Sequence, residues 1–262
     1  MKSGEHYTFG DTERAAGRLR LLAQVFAPSS ARLLGGLKDE ASELCIDLGC
    51  GPGYSTQLLA DQLAFSHVLG LEQSPKLLEQ ARRERESPRL SFQQCDVSKP
   101  PFPAPPANFL FSRFLLTHLR EPAEVLRAWA SSALPNARLV LEETAFMTAE
   151  HPAFPRYYQL VERMQTHYGQ RMYIGRELEA LSRSPEWSLE SAEIVVAPLP
   201  AVHMARLHSL NLETWSTDPF AQAHYPASEL AELGAELEQL ASGDVCAADV
   251  SCGIGQVVLR RR

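Results

Sequence analysis

Lysine is scarce in this 262-residue chain: it occurs only at Lys2, Lys38, Lys76 and Lys99, and no basic run forms outside the Arg260–Arg262 tail. With 25 basic residues against 32 acidic ones, the formal charge is −7. Phosphate contacts need clustered cations, so this balance argues against a dedicated reader of nucleic acid or of an anionic membrane. Cysteine is thin as well. Cys45, Cys50, Cys95, Cys246 and Cys252 are scattered and form no CxxC pair. Neither a zinc site nor a disulfide framework is suggested, and the three-cysteine run of a radical iron–sulfur enzyme is missing. No stretch approaches the roughly 18 apolar residues of a membrane span. Met1–Gly10 is polar, without the apolar centre of a secretion signal. There are no internal repeats. The expectation is a reduced, cytoplasmic, soluble protein, monomer or homodimer, with no metal and no nucleic-acid or membrane partner.

Hydrophobic residues make up 45% of the chain, enough for a full core. Asp11 or Thr12 is placed to cap a first helix with the stripe Ala15, Leu19, Leu22, Phe26, which Pro28 is expected to end. Leu44–Leu48 is a short apolar run closed by glycines, which suits a buried strand. A helix follows with Leu58, Leu59 and Leu63 on one side, then a strand at His67–Leu71. Ser74-Pro75 supplies an N-cap and a proline at the first helical position, with Leu77, Leu78 and Ala81 behind. Leu90–Cys95 reads as a third strand, and five prolines keep Lys99–Asn108 irregular. Phe109–Ser112 is a fourth strand, Pro122 opens a helix that Pro135 is expected to end, and Arg138–Glu142 is a fifth strand. This alternation predicts a doubly wound α/β sheet.

After Thr144 the pattern changes. Tyr157, Val161, Met164 and Tyr168 recur at helical spacing, and Gly175–Ser182 reads as a short helix. Leu189–Val196 is a strand candidate, and Gly255–Leu259 is the last strand. Between them, residues 200–240 are helical in character, with Leu230, Leu233, Leu237 and Leu240 in register. So long an insert is not a bare connector; a helical cap over the ligand site is expected there, with the stripe buried on the carboxyl edge of the sheet.

The central motif is Asp47-Leu48-Gly49-Cys50-Gly51-Pro52-Gly53, which leaves a strand and enters a helix. Glycines let the chain turn sharply and let a ligand approach the peptide planes. Nicotinamide and flavin cofactors use such loops too, but here the spacing is GxGxG followed by Tyr54, which breaks the GxGxxG dinucleotide pattern. Pro52 removes a donor that a pyrophosphate would want, and Asp47 would repel phosphate while tolerating a cation. S-adenosylmethionine, with a sulfonium, an ammonium and no phosphate, meets all three conditions. Glu72 ends the second strand about 20 residues on, where an acid can accept both ribose hydroxyls; the alternative is a solvated strand-end carboxylate. Asp96 follows the third strand, where it either accepts from an adenine amino group or simply starts an Asx turn.

Residues 40–144 resemble the class I S-adenosylmethionine-dependent methyltransferases, most closely the small-molecule branch that includes the ubiquinone/menaquinone biosynthesis type. The blocks CIDLGCGPGYST (45–56), GLEQSPKLLEQAR (70–82), FQQCDV (92–97) and FLFSRFLLTHLREPAEVLRAW (109–129) carry the likeness. The resemblance implies a Rossmann-like sheet of seven strands, the last antiparallel. The chain is expected to divide into an N-terminal helical segment over 1–40 and a methyltransferase domain over 41–262, with the cap at about 200–240 within it. The resemblance further implies that Asp47, Gly49, Gly51 and Gly53 hold the methionine end of the cofactor, Glu72 the ribose and Asp96 the adenine. Gln73 and Val97 would flank the base, and Arg113 would lie beside the methionine portion. The branch usually has Gly-Gly before the fifth strand; here Asn136-Ala137 stands instead, and asparagine tolerates a left-handed turn.

Methyl transfer from a sulfonium is an in-line displacement, so alignment and exclusion of water are the main tasks. An acceptor hydroxyl or ammonium also needs a base, for which His118, Glu143 and His151 are the candidates; each has a structural or surface reading beside the catalytic one. Aromatic residues thicken toward the C-terminus (Phe154, Tyr157, Tyr158, Tyr168, Tyr173, Trp215, Tyr225), which suits a core and also a pocket for a flat or apolar acceptor. Phe111-Ser112-Arg113-Phe114 stands where amino-methylating enzymes carry Asp/Asn-Pro-Pro-Tyr, no Pro-Cys nucleophile occurs, and four scattered lysines do not make a 2′-hydroxyl tetrad. The expected activity is methyl transfer to an O, N or C atom of a small molecule. The alternatives are an RNA or protein methyltransferase and a non-catalytic S-adenosylmethionine-binding regulatory subunit.

Overall fold

The computed structural model describes residues 13–37 and 42–262. Five strands alternate with helices: β1 (Ser42–Leu48), β2 (Phe65–Glu72), β3 (Leu90–Gln94), β4 (Ala107–Arg113) and β5 (Ala133–Thr148). They pair in parallel. The helices between them are α2 (Tyr54–Gln62), α3 (Pro75–Arg85) and α4 (Pro122–Trp129). β6 (Trp187–Leu199) and β7 (Val250–Arg261) complete a seven-stranded sheet of order β3-β2-β1-β4-β5-β7-β6. β7 lies antiparallel to both neighbours, so the doubly wound sheet with an antiparallel last strand is what forms.

The strands carry apolar side chains on both faces because helices cover both. Cys45, Phe109 and Phe111 enter the core on one side of the sheet, while Ile46, Leu48 and Leu110 enter the core on the other. At roughly 1.5–3 kcal/mol per large side chain buried, a one-residue slip would exchange the two sets and is strongly disfavoured. Strand order reverses between β1 and β4, and that switch point opens a crevice at the carboxyl ends of the parallel strands, where such sheets take ligands.

Two helix ends depart from the sequence expectation. α1 (Glu13–Gly36) continues through Pro28. Pro28 is exposed, whereas Phe26, Ser30 and Leu34 are buried on the opposite face. Packing on both sides of the proline offsets its lost hydrogen bond, of order 3 kcal/mol. The expected Asp11 or Thr12 cap lies outside the described residues. α4 stops at Trp129, before a 3-10 turn over Ala130–Ser132. Pro135 therefore does not end it but falls in the irregular start of β5, where Asn136 takes the left-handed φ of 64° that its residue type tolerates.

The later helices are α5 (Ala153–His167), α6 (Leu178–Leu181), α7 (Ala201–Trp215), α8 (Pro219–His224) and α9 (Ala227–Ser242). The Leu233, Leu237 and Leu240 stripe of α9 packs with buried residues of α5 and α7, and Arg156 of α5 pairs with Glu236 at 2.8 Å. The stripe thus buries largely against helices, in a cluster that also holds Val250 and Cys252 of β7, beside the carboxyl end of β5. Among the described residues, no helix is long and apolar enough to cross a membrane.

Candidate active site

The turn after β1 has Gly49, Gly51 and Gly53 at φ values of 70°, 53° and 83°. An L side chain at any of them would be strained. At Gly51 an added Cβ would meet nothing within 4 Å, so the peptide is left open on that side. At Gly53 it would strike the Phe92 ring at 2.7 Å, so this glycine serves packing. The amides of Gly49 and Cys50 both donate to the Leu71 carbonyl, at 2.9 and 3.0 Å. Asp47 is buried and accepts from Ser55 Oγ at 2.6 Å and Thr56 Oγ1 at 2.7 Å, which fastens the first turn of α2 to β1. Burial pushes its pKa up to about 6 against the opposing pull of those two hydroxyls.

Glu72 leaves β2 with both oxygens engaged by backbone: Oε2 accepts from Gly51 N at 2.9 Å, and Oε1 from Ser74 N at 2.8 Å. Desolvation raises its pKa in spite of these bonds. Each oxygen retains a lone pair for a further donor. Asp96 makes an Asx turn, with Oδ1 accepting from Ser98 N and Oγ at 3.1 and 2.6 Å and Oδ2 meeting Lys99 Nζ at 2.5 Å. Desolvation pushes its carboxyl up, but the Lys99 and Ser98 hydrogen bonds outweigh that and hold it below the usual range. Gln73 is exposed and its carbonyl accepts from Gln94 Nε2 at 3.1 Å. Val97 is buried, its carbonyl fixed by Trp129 Nε1 at 2.8 Å.

Arg113 ends β4 and donates to Ser30 Oγ at 3.0 Å; that hydroxyl donates in turn to Glu142 Oε2 at 2.5 Å. Gln256 Nε2 satisfies Glu142 Oε1 at 2.7 Å. Desolvation draws the Arg113 pKa down, while Glu142 and Asp47 push it back. The next residue, Phe114, has a φ of 54°, a strained conformation of the kind that clusters at functional sites. The following turn is clamped from β5: Glu143 Oε1 accepts from Leu115 N at 2.8 Å and Leu116 N at 2.6 Å. Glu143 Oε2 is buried without a partner, and burial lifts this carboxyl to about 8. His118, in the 3-10 turn Leu116–His118, hydrogen-bonds Gln170; burial and then the charge of Arg18 lower its pKa to about 4.

These groups meet around one cavity of about 570 Å³, a size typical of small-molecule sites. Of the residues singled out in the sequence, Gly49, Gly51, Glu72, Gln73, Asp96, Val97, Arg113, His118 and Glu143 line it. Asp47 and Gly53 do not; they shape the turn from beneath. His151 does not either: its Nδ1 accepts from Ala153 N at 3.3 Å at the start of α5, a structural cap. The far wall is made by residues that motif reading passes over, apart from Tyr157, which stood among the aromatics read as core or pocket. α1 contributes Arg18, Leu22 and Phe26; α5 contributes Tyr157, Val161 and Gln165; α7 contributes Leu207, His208 and Asn211. Arg18 did leave a signal, since it stands at i−4 and i−8 from Leu22 and Phe26 on the apolar stripe. Among the described residues, no group of three or more His, Cys, Asp or Glu is placed to hold a metal ion.

Residues 46–141 match the family described as methyltransferase domain. A trans-aconitate 2-methyltransferase of Methylobacterium nodulans is 34% identical over 140 residues, 53% of this chain and 48% of that protein. One of Streptomyces coelicolor is 32% identical over 100 residues, 37% of this chain and 33% of its own. The chain thus aligns with half or less of the length of these relatives. Among solved structures, a cyclopropane synthase of Mycobacterium tuberculosis superposes with a TM-score of 0.54 at 16% identity, over 89% of this chain and 83% of that one. An S-adenosylmethionine-dependent methyltransferase of Mesorhizobium loti gives 0.50 at 21% identity, over 88% and 96%. At these identities the likeness is one of fold.

The glycine-loop end of the cavity fits S-adenosylmethionine. Gly51 leaves its peptide open where a side chain would fill the space, Glu72 keeps acceptor capacity for hydroxyls, and Pro52 and the nearby carboxylates do not suit a pyrophosphate. Glycine turn and strand order are those of a Rossmann-like sheet, and residues 46–141, which run from β1 through β4 into the first part of β5, are similar to the methyltransferase domain family.

Proposed function

We propose that the protein transfers a methyl group to a small-molecule acceptor held in the cavity between the glycine turn and the wall of α1, α5 and α7. The observation that carries this is the continuity of the cavity: one space touches both Gly51 and Glu72 at the strand ends and Tyr157 and Asn211 on the helices. A pocket backed by three helices suits a small molecule better than a polymer, and the relatives named for trans-aconitate support an acceptor of that size. The acidic balance of the chain points the same way.

The bound cofactor supplies an activated methyl group. Glu72 would accept from the ribose hydroxyls, Asp96 from the adenine amino group, and Gln73 and Val97 would flank the base. Gly49 and Gly51 would lie along the methionine portion, with Asp47 and Gly53 holding the turn in shape. Arg113, tied to Ser30, is a positioning residue at the same end. The chain's contribution to the displacement is to orient the acceptor and exclude water. Glu143 keeps its proton at neutral pH, so it would donate to the acceptor and not deprotonate it. His118 stays neutral there and is left as the group able to take a proton at a ring nitrogen. Incubation with methyl-labelled S-adenosylmethionine and candidate acceptors, read by mass spectrometry, tests the reading. Labelled small-molecule product is expected; label found only on RNA or protein, or no cofactor binding at all, overturns it.

A further inference from the structure

Five polar atoms around the cavity are buried with nothing to bond. Glu143 Oε2, Tyr157 Oη, Gln165 Oε1, His208 Nδ1 and Asn211 Oδ1 all lack a hydrogen-bond partner. Their side chains line the cavity, and each residue is more than nine-tenths buried. Leu22, Phe26, Met147 and Val161 share the wall with them and make the surface between polar points apolar. The Trp215 and Asn211 side chains turn toward the Tyr157 hydroxyl without reaching bonding geometry. Buried polar atoms are seldom left unpaired in a native protein, and five around one space mark a site that a ligand completes.

None of these five groups brings a charge. Glu143 Oε1 accepts from the amides of Leu115 and Leu116, and burial keeps the carboxyl protonated at neutral pH. Its proton therefore belongs to Oε2, the oxygen left without a partner. Burial likewise keeps Tyr157 a phenol and His208 a neutral imidazole, and Gln165 and Asn211 are amides. Arg18 lines the same space but has a partner of its own. Arg113 donates to Ser30 in the field of Glu142, and Glu72 and Asp96 belong to the glycine-turn end. The open positions are of both kinds: Glu143 Oε2 donates, the amide oxygens of Gln165 and Asn211 accept, and Tyr157 does either.

We propose that the acceptor is an uncharged hydroxylated molecule with an apolar body, recognised through hydroxyl groups that accept from Glu143 and donate to the amide oxygens of Gln165 and Asn211. This rests on the methyltransferase reading of the cavity and narrows it. A hydroxyl both donates and accepts, so it can answer either kind of open position, while the body lies along Leu22, Phe26 and Val161. A carboxylate or ammonium in the same place would lose its water with no opposite charge left to compensate it. A methyl ether would keep the acceptor oxygen but leave the amide oxygens unpaired.

Calorimetry at neutral pH on the full chain saturated with S-adenosylhomocysteine tests this. The probes are octan-1-ol, 4-hydroxyphenethyl alcohol and indole-3-ethanol, each beside the amine, the carboxylic acid and the methyl ether of the same carbon skeleton, together with trans-aconitate. At least one alcohol should bind about tenfold or more tightly than its amine, its acid and its ether, the order expected when a buried polar group is left unpaired. Asn211→Leu should cut the preference for alcohol over ether. Glu143→Gln, which keeps a donor and carries no charge, should retain the preference for alcohol over acid. A charged counterpart or an ether binding as tightly as every alcohol, trans-aconitate binding most tightly, or no alcohol binding at all overturns the proposal. Because the probes are compared on the unaltered protein, the result stands even if Asn211→Leu fails to fold. Failure of S-adenosylhomocysteine to bind would instead strike the methyltransferase reading itself.

Discussion

The amide of Gly51 donates to Oε2 of Glu72 at 2.9 Å, so the glycine turn after β1 is tied to the acidic end of β2. One carboxylate therefore sets the position of the open peptide and presents acceptor lone pairs to the same space. Glu72→Ala loses both, and the affinity for S-adenosylhomocysteine should fall by about 2–3 kcal/mol, as for hydrogen bonds to a charged group. Titration calorimetry reads this directly. An unchanged affinity would make Glu72 a support of the turn with no part in the ligand.

Asp96 is different because its own side chain already has partners in Ser98 and Lys99. Asp96→Ala should cost about 1 kcal/mol of cofactor affinity, one contact's worth, because Lys99 already neutralises the carboxylate. A loss equal to that of Glu72→Ala would mean that the Lys99 contact yields on binding.

The glycines separate a ligand role from a packing role. Gly51→Ala should lower stability by roughly 1–2 kcal/mol, the cost of a left-handed L residue, and weaken cofactor binding because its Cβ enters open space beside the peptide. Gly53→Ala adds a clash with Phe92 at 2.7 Å and should lower the melting temperature further. Equal melting temperatures would show that the Phe92 ring moves aside freely.

How much of this was legible in the sequence follows from which physics each residue obeys. β1, the glycine turn and the Ser74-Pro75 start of α3 are local: cap, proline and glycine act within a few residues, and Ser74 Oγ does accept from Leu77 N at 3.4 Å. Strand ends were legible too, so Glu72 and Asp96 could be placed in one crevice. Of the far wall only Tyr157 was, as one of the aromatics suited to core or pocket; Arg18 and Asn211 lie in helices that tertiary packing alone brings to it. Pro28 misled for the same reason, since burial on both sides of it decided the length of α1. His151 and Glu143 looked alike in sequence; one caps a helix, and the other clamps the turn after β4.

Glu143 makes stability depend on pH with a definite sign. Its pKa of about 8 in the folded protein lies above the ordinary 4.5, with burial the main cause. The native state thus binds the proton more tightly, and stability is full below about pH 4.5 and declines as pH rises toward 8. Asp47, raised to about 6, adds to the lower part of that window. Glu143→Gln keeps an oxygen for Leu115 and Leu116 and carries no charge, so its melting temperature should gain on the unaltered protein between pH 5 and pH 8.5. A difference that stays constant with pH would show that Glu143 titrates normally.

The helices between β6 and β7 supply the last prediction. α7 places Leu207, His208 and Asn211 in the cavity and packs on α1, which supplies Arg18 and Phe26. α9 has its buried leucines turned to α5 and α7, and none of them lines the cavity. If α1 and α7 close over the acceptor, they must also open to admit it, and elements that open do so more readily than core strands. Hydrogen exchange in α1 and α7 should therefore slow when S-adenosylhomocysteine and an acceptor found by the labelling screen are bound together, by more than in β1–β5. α9 packs on α7 without lining the cavity, so it should follow α7 to a smaller extent. Protection confined to residues 45–115, with α7 exchanging as before, would make these helices a stabilising or dimerisation element and not a moving wall.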